Sequence, residues 1–331
     1  MLGATGTIGR ATVRALVARG HEVVCFVRPH AAASTAARIA THGSTAGAPS
    51  AFALLGVSVR EGDVTDPASV ARDGFRGEHF DAVVSCMASR TGTPRDAWAI
   101  DHLAHLHVLA AAKDAGVTQM VLLSAICVQK PLLAFQQAKL AFEAKLRSSG
   151  LTWSIVRPTA FFKSLSGQVK RVQQGKPFLV FGDGTLTACT PISDDDLAAF
   201  IADCLDDASK QNRVLPIGGP GKAMTPREQG EQLFALAGKP PRFKHVPVAL
   251  LDTIIGVLSA LGRVIPPLAD KAQLARIGRY YATESMLMWD ATSQRYDADA
   301  TPSTGTETLP DYFAKLLRGD VSDDRGEHAV F

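Results

Sequence analysis

Cysteine is scarce in this chain, and its five thiols are never closely paired. Cys25, Cys86, Cys127, Cys189 and Cys204 form no Cys-x-x-Cys and no metal-ligand spacing. Several lie in apolar, strand-like runs, so buried reduced thiols are the expectation. A surplus of one charge is also missing. The 35 Lys and Arg stand against 32 Asp and Glu, a net +3, and no basic stripe marks a nucleic-acid surface. Long uninterrupted apolar runs are absent too. The most apolar late stretch, "VPVALLDTIIGVLSALGRVIPP" (Val246 to Pro267), is broken by Asp252 and Arg263. Its apolar part is too short to span a bilayer comfortably. It reads as a core or lid helix, with contact at a membrane surface as the second reading. No internal repeat is visible.

With 331 residues, 46% hydrophobic and 20% charged, the composition is that of a globular α/β chain. Apolar, β-branched runs alternate with helical stretches: His21 to Arg28, Val57 to Asp66, Phe80 to Ala88, Gln119 to Ile126 and Leu151 to Pro158. Near-continuous apolar strands of this kind are covered on both faces. The expected fold is therefore a doubly wound parallel sheet, Rossmann-like, with a smaller, mostly helical substrate region at the C-terminal end. The expected division is a nucleotide-binding domain over 1–158 and a substrate side over 159–331, with 187–221 returning to the first. Asp96 to Gly116 reads as one helix. Arg213 to Gly221 reads as a further strand, and Thr225, Pro226 and Glu228 read as a capped helix start. The Ala/Ser/Thr-rich run His30 to Ala51 reads as a surface insertion.

The chain opens on "MLGATGTIGR", a glycine turn running into a helix. Gly3, Gly6 and Gly9 let backbone amides approach a pyrophosphate, and the helix N-terminus adds positive potential. Gly3, Thr5, Gly6, Thr7, Ile8 and Gly9 are thus cofactor-binding candidates. Arg28 ends the next strand where an acid would grip the ribose hydroxyls of NAD; an arginine suits the 2′-phosphate of NADP. Asp63 with Val64, after the third strand, is placed for the adenine, although turn chemistry alone also favours Asp there. Only Met1 and Leu2 precede the loop. The expectation is that the natural chain begins further upstream, with a Val/Ile-rich strand and a targeting segment. His102, His105 and His107 do not share one helix face, so no metal site is expected.

The glycine spacing, with Ser124 closing the fifth strand, resembles the atypical branch of the short-chain dehydrogenase superfamily. That resemblance implies a Tyr-x-x-x-Lys pair, whose lysine binds the nicotinamide ribose and whose phenol protonates a carbonyl oxygen. Here the segment reads "FQQAK": Lys139 is present and Phe135 replaces the tyrosine. Without a phenol, ketone or alcohol chemistry lacks its general acid. Two readings follow, a non-catalytic NADP-binding regulator or a reductase of a conjugated carbon–carbon double bond.

The strings "VVSCMASRTG", "VLLSAICVQKPLLAFQQAKLAFEAKL", "SIVRPTAFFKSLSGQV" and "GRYYATESMLMWD" resemble the NADPH-dependent divinyl chlorophyllide a 8-vinyl reductases, from Gly3 to the terminal "HAVF". That family also carries phenylalanine at the tyrosine position. The resemblance implies reduction of the 8-vinyl group of divinyl chlorophyllide a or divinyl protochlorophyllide a to ethyl, a tetrapyrrole substrate, and a chloroplast location. Peripheral contact with plastid membranes is a further expectation, and the oligomeric state stays open. Lys139 is the expected catalytic residue, with Ser85, Ser124 and Pro158 at the strand ends facing the cofactor. Phe161 and Phe162 would offer flat surface to the macrocycle, and Lys163 would meet a propionate or supply a proton. Tyr280 and Tyr281 are the phenols available to replace the missing acid.

Overall fold

The computed structural model describes residues 1–29 and 56–321. The alanine-rich run and the terminal His-Ala-Val-Phe lie outside the described residues. Parallel pairing builds the main sheet: β1 (Val24–Val27) with β2 (Ser58–Glu61), and β3 (Ala82–Ser85), β4 (Gln119–Leu123), β5 (Thr152–Pro158) and β7 (Arg213–Ile217) side by side. Leu2 joins the two groups by bridging Phe26 on one side and Ser85 on the other. Its N–H donates to the Val84 carbonyl at 2.9 Å and its own carbonyl accepts from Cys86 N at 3.0 Å. The order is thus β2-β1-Leu2-β3-β4-β5-β7. Beside Met1 and Leu2, Val24, Phe26, Val83 and Val108 line a cavity of about 50 Å³.

The continuous apolar strands are explained by two buried faces. On β4, Met120 and Leu122 pack with Val108, Leu109, Phe142 and Leu146, whereas Val121 and Leu123 pack with Ile8, Val13, Leu16, Leu197 and Ile201. The second face is covered by α1 (Thr7–Ala18) and α4 (Asp194–Asp206), the first by α2 (His105–Asp114) and α3 (Ala134–Arg147). Gly20, at φ +85°, follows the end of α1. Ser193 caps α4, and Asp194, Asp195 and Asp196 fill its first turn, where acids favour the helix dipole. Arg14–Asp195 and Arg19–Asp203 ion pairs tie α1 to α4.

Four features differ from the sequence reading. The single helix expected over 96–116 is interrupted: a wide π-type turn, Trp98–Ala104, precedes α2. A second parallel pair, β6 (Phe178–Phe181) with β8 (Phe243–Val246), appears outside the main sheet. It packs with α5 (Pro226–Leu236) and α8 (Leu309–Arg318) around Phe162, Phe178, Phe234 and Phe313. An antiparallel pair, β9 (Met288–Asp290) with β10 (Arg295–Asp297), was also not anticipated. Finally, the apolar stretch expected as a core or lid helix forms α6 (Val248–Leu261), which buries no residue. It packs on α7 (Pro266–Thr283), so the core reading is corrected. Among the described residues, no helix is long and apolar enough to cross a membrane.

Candidate active site

The parallel strands present their C-terminal ends along one edge, and most of the candidate residues gather there. The glycine turn separates into two kinds of glycine. A Cβ on Gly9 would lie 1.9 Å from the Gly3 carbonyl oxygen, and one on Gly3 (φ +71°) 2.5 Å from the Cys86 backbone. These two are demanded by the fold of the turn. Gly6 is exposed, and a Cβ there would meet only Gly3 O at 3.4 Å. It is the N-cap of α1 and has no side-chain cap. The open space above it therefore faces helix N–H groups that have no intrahelical acceptor, a cradle fit for a diphosphate. Thr5 and Thr7 flank it half-buried, Ile8 turns into the core, and Arg10 donates to the Thr5 carbonyl at 2.8 Å.

Arg28 stands exposed at the end of β1. Asp63, after β2, closes its own turn by accepting from Thr65 N at 2.8 Å and Thr65 Oγ1 at 2.7 Å. Those bonds, with Arg28 nearby, hold its carboxyl below the usual carboxylate range. Val64 is buried beneath it, its carbonyl 3.4 Å from His107 Nδ1. Ser85 and Ser124 do not turn their hydroxyls outward. Ser85 is fully buried with Oγ 2.9 Å from His105 Nε2. Ser124 donates to Glu143 at 2.6 Å, and that carboxylate is also ion-paired with Arg157. Both serines brace strand ends from within.

Lys139, on α3, donates from Nζ to Asp101 Oδ1 at 3.0 Å. The Lys139 side chain is 12% exposed and that of Asp101 fully buried. Asp101 also accepts from Ser89 N at 3.2 Å, while its Oδ2 is buried without a hydrogen-bond partner. An orphaned carboxylate oxygen beside an ammonium fits a hydroxyl-bearing ligand such as a ribose. Sequence reasoning missed Asp101. It sits inside the π-type turn, and only its isolation among apolar neighbours could have flagged it. Phe135, one turn before Lys139, is buried against Ile126, Cys127, Leu133 and Ile277. The site thus pairs a fixed ammonium with an apolar wall where a phenol was absent from the sequence.

On the substrate side, Pro158 is buried at the end of β5 and Phe161 is half-buried beside Ile192. Phe162 is 1% exposed and packs on Tyr312 at 5.5 Å between ring centroids. It is a core residue of the second layer. Lys163 is ion-paired with Asp194 at 3.1 Å. Burial raises the Asp194 carboxyl above its ordinary range despite that partner. Tyr280 is buried and donates to the Cys127 carbonyl at 3.0 Å. Burial raises its pKa, so it serves as a tie between α7 and the end of β4.

Residues 3–208 match the NAD(P)H-binding family model. The chain is 49% identical over 335 residues to the chloroplastic divinyl chlorophyllide a 8-vinyl-reductase of Oryza sativa subsp. indica, covering 99% of this chain and 81% of that protein. The chain belongs to the divinyl chlorophyllide a 8-vinyl-reductase family. The Arabidopsis thaliana member, also chloroplastic, is 47% identical, with 99% of this chain and 78% of that one aligned. In architecture, the crystal structure of an Escherichia coli NADPH-dependent quinone oxidoreductase complexed with NADPH is similar, with a TM-score of 0.65 at 18% identity. That match covers 96% of this chain and 98% of the other. As members of a reductase family, these 331 residues form an oxidoreductase with an NAD(P)H-binding domain.

Proposed function

We propose that Lys139, seated by Asp101, positions the nicotinamide ribose of NADPH in a chloroplast enzyme that reduces the 8-vinyl group of divinyl chlorophyllide a to ethyl. Divinyl protochlorophyllide a is the second macrocycle this reading admits. The observation that carries the reaction is the 49% identity spanning 99% of the chain. NADPH, when bound, supplies the hydride. Gly3, Thr5, Gly6, Thr7, Ile8 and Gly9 would hold the diphosphate through backbone amides at the start of α1. Arg28 would take the 2′-phosphate, with Asp63 and Val64 beside the adenine and Pro158 against the nicotinamide.

The rest follows from what the chain's residues can do. Lys139 is held by its ion pair with the fully buried Asp101, a placement suited to orienting and binding. Phe135 has no proton to give, so the conjugated macrocycle must disperse the charge of hydride addition. The balancing proton then reaches the second carbon from solvent or a residue other than 135. Phe161 is the half-buried aromatic left to face a flat ring. The alternative, a non-catalytic NADP-binding regulator, draws on the missing phenol alone. Incubating the intact protein with divinyl chlorophyllide a and NADPH tests the two. The expected result is a blue-shifted Soret band as vinyl becomes ethyl, lost in Lys139→Ala with folding intact. Bound NADPH with no spectral change would overturn the reductase reading.

A further inference from the structure

The hairpin of α6 and α7 carries an apolar surface that the reaction does not use. Leu250, Ile254, Val257 and Leu261 recur at spacings of four, three and four, so they form one stripe along α6. They are 39–53% exposed, and beyond the helix end Val264 is 83% and Ile265 47% exposed. Leaving such a contiguous patch in water is costly, and patches of this kind mark interaction sites. Its surroundings are basic. Within the hairpin, residues 248–283, Arg263, Lys271, Arg276 and Arg279 stand against Asp252 and Asp270, and Asp252 is paired with Arg279. Near the hairpin's tip, Ser259, Gly262, Arg263, Gln273 and Arg276 line an open groove of about 210 Å³. Arg276 is anchored there by donating to Ser259 Oγ at 2.8 Å. Arg263 has no side-chain partner among the described residues.

We propose that this hairpin docks on an anionic lipid bilayer. In that arrangement α6 lies in the interfacial plane with its stripe among the acyl chains, and the Arg263–Arg276 groove takes a lipid phosphate. An apolar helix face with a basic rim is the general recipe for such binding. A second copy of the chain is the rival occupant, but it would bring Arg263 and Lys271 against equally basic ground. The stripe also runs past the helix end onto the tip, where a helix–helix dimer would leave Val264 uncovered. The inference does not depend on the reductase reading, because its test reads binding alone.

The full chain is sedimented with vesicles of phosphatidylcholine alone and of equimolar phosphatidylcholine and phosphatidylglycerol. Binding to the anionic vesicles is expected, weakening as salt rises. Val257→Asp combined with Leu261→Asp should abolish it. Arg263→Glu should lower the partition on the order of tenfold while leaving the stripe intact, since each basic residue at an anionic surface contributes about 1 kcal/mol. All three side chains are exposed, so these variants should keep NADPH binding, measured by fluorescence titration as the check on folding. No partition onto anionic vesicles, or partition unchanged in the stripe variant, overturns the proposal. So does a dimer in sedimentation velocity that dissociates in that variant, since the stripe then belongs to a second copy.

Discussion

Replacing Asp101 by asparagine would leave the ammonium of Lys139 facing a neutral amide in a site with little access to water. Removing one partner of a buried ion pair costs about 3 kcal/mol or more, because the other charge stays behind. For Asp101→Asn we expect a lower urea midpoint and a roughly tenfold higher KM for NADPH, equivalent to about 1.4 kcal/mol of binding. If Asp101 acts through Lys139, the double variant with Lys139→Ala should be no worse in KM than the worse single one. Additive losses would show that it acts elsewhere. The glycine turn allows a sharper contrast. Gly9→Ala would push a methyl to 1.9 Å from Gly3 O, so the turn must break, whereas Gly6→Ala meets Gly3 O only at 3.4 Å. We expect Gly9→Ala to lose both stability and NADPH binding, and Gly6→Ala to melt within a few degrees of the parent yet bind NADPH weakly. Equal melting losses would refute the division. Lys139 is an expectation carried by the resemblance of its segment to a Tyr-x-x-x-Lys pair, whereas no motif in the sequence marks Asp101. Its approach to Lys139 depends on a π-type turn that no pattern of apolar residues announces.

Helix ends were read most directly, since a cap is a contact between near neighbours. Thr225 accepts from Glu228 N at 3.3 Å while Glu228 reaches back to Thr225 N at 2.7 Å, with Pro226 in the first turn. Both partners are visible three residues apart in the sequence. Thr225→Ala should therefore lower stability by about 1 kcal/mol, read as a shift in urea midpoint at unchanged m-value. An unchanged midpoint would mean that the box contributes nothing to α5. Elements whose partners lie far off in the chain were harder to read. The pairing of β6 with β8 joins residues more than sixty positions apart and leaves no local signature. The apolarity of α6 was plain in the sequence, but not its exposure, because hydrophobic content says nothing about whether a neighbour exists to cover it.

At the scale of the whole molecule, the doubly wound sheet was readable because β4 and β5 are apolar on both faces, which only two covering layers explain. Polar groups sealed inside those layers were not readable, and they set how the molecule responds to acid. His105 is 1% exposed. Its Nδ1 lies 2.9 Å from the Ile100 carbonyl and its Nε2 2.9 Å from Ser85 Oγ. A neutral ring serves both, donating to the carbonyl and accepting from the hydroxyl. Burial first, and then the charge of Lys139, lower its pKa from 6.5 to about 4. The sign follows from proton counting: between those values the unfolded chain takes up a proton that the folded chain refuses. The contribution is therefore complete above pH 6.5 and lost as pH falls toward 4, about 3 kcal/mol in all at ~1.4 kcal/mol per unit. His102, lowered by burial and Lys145, acts in the same sense. Asp194, raised by burial, acts in the opposite sense, toward the carboxylate range. Urea midpoints at pH 7.5, 6 and 4.5 should fall steeply in the parent and less steeply in His105→Gln, which cannot take up the proton. Parallel curves for the two proteins would mean that this ring is not the group that weakens the fold in acid.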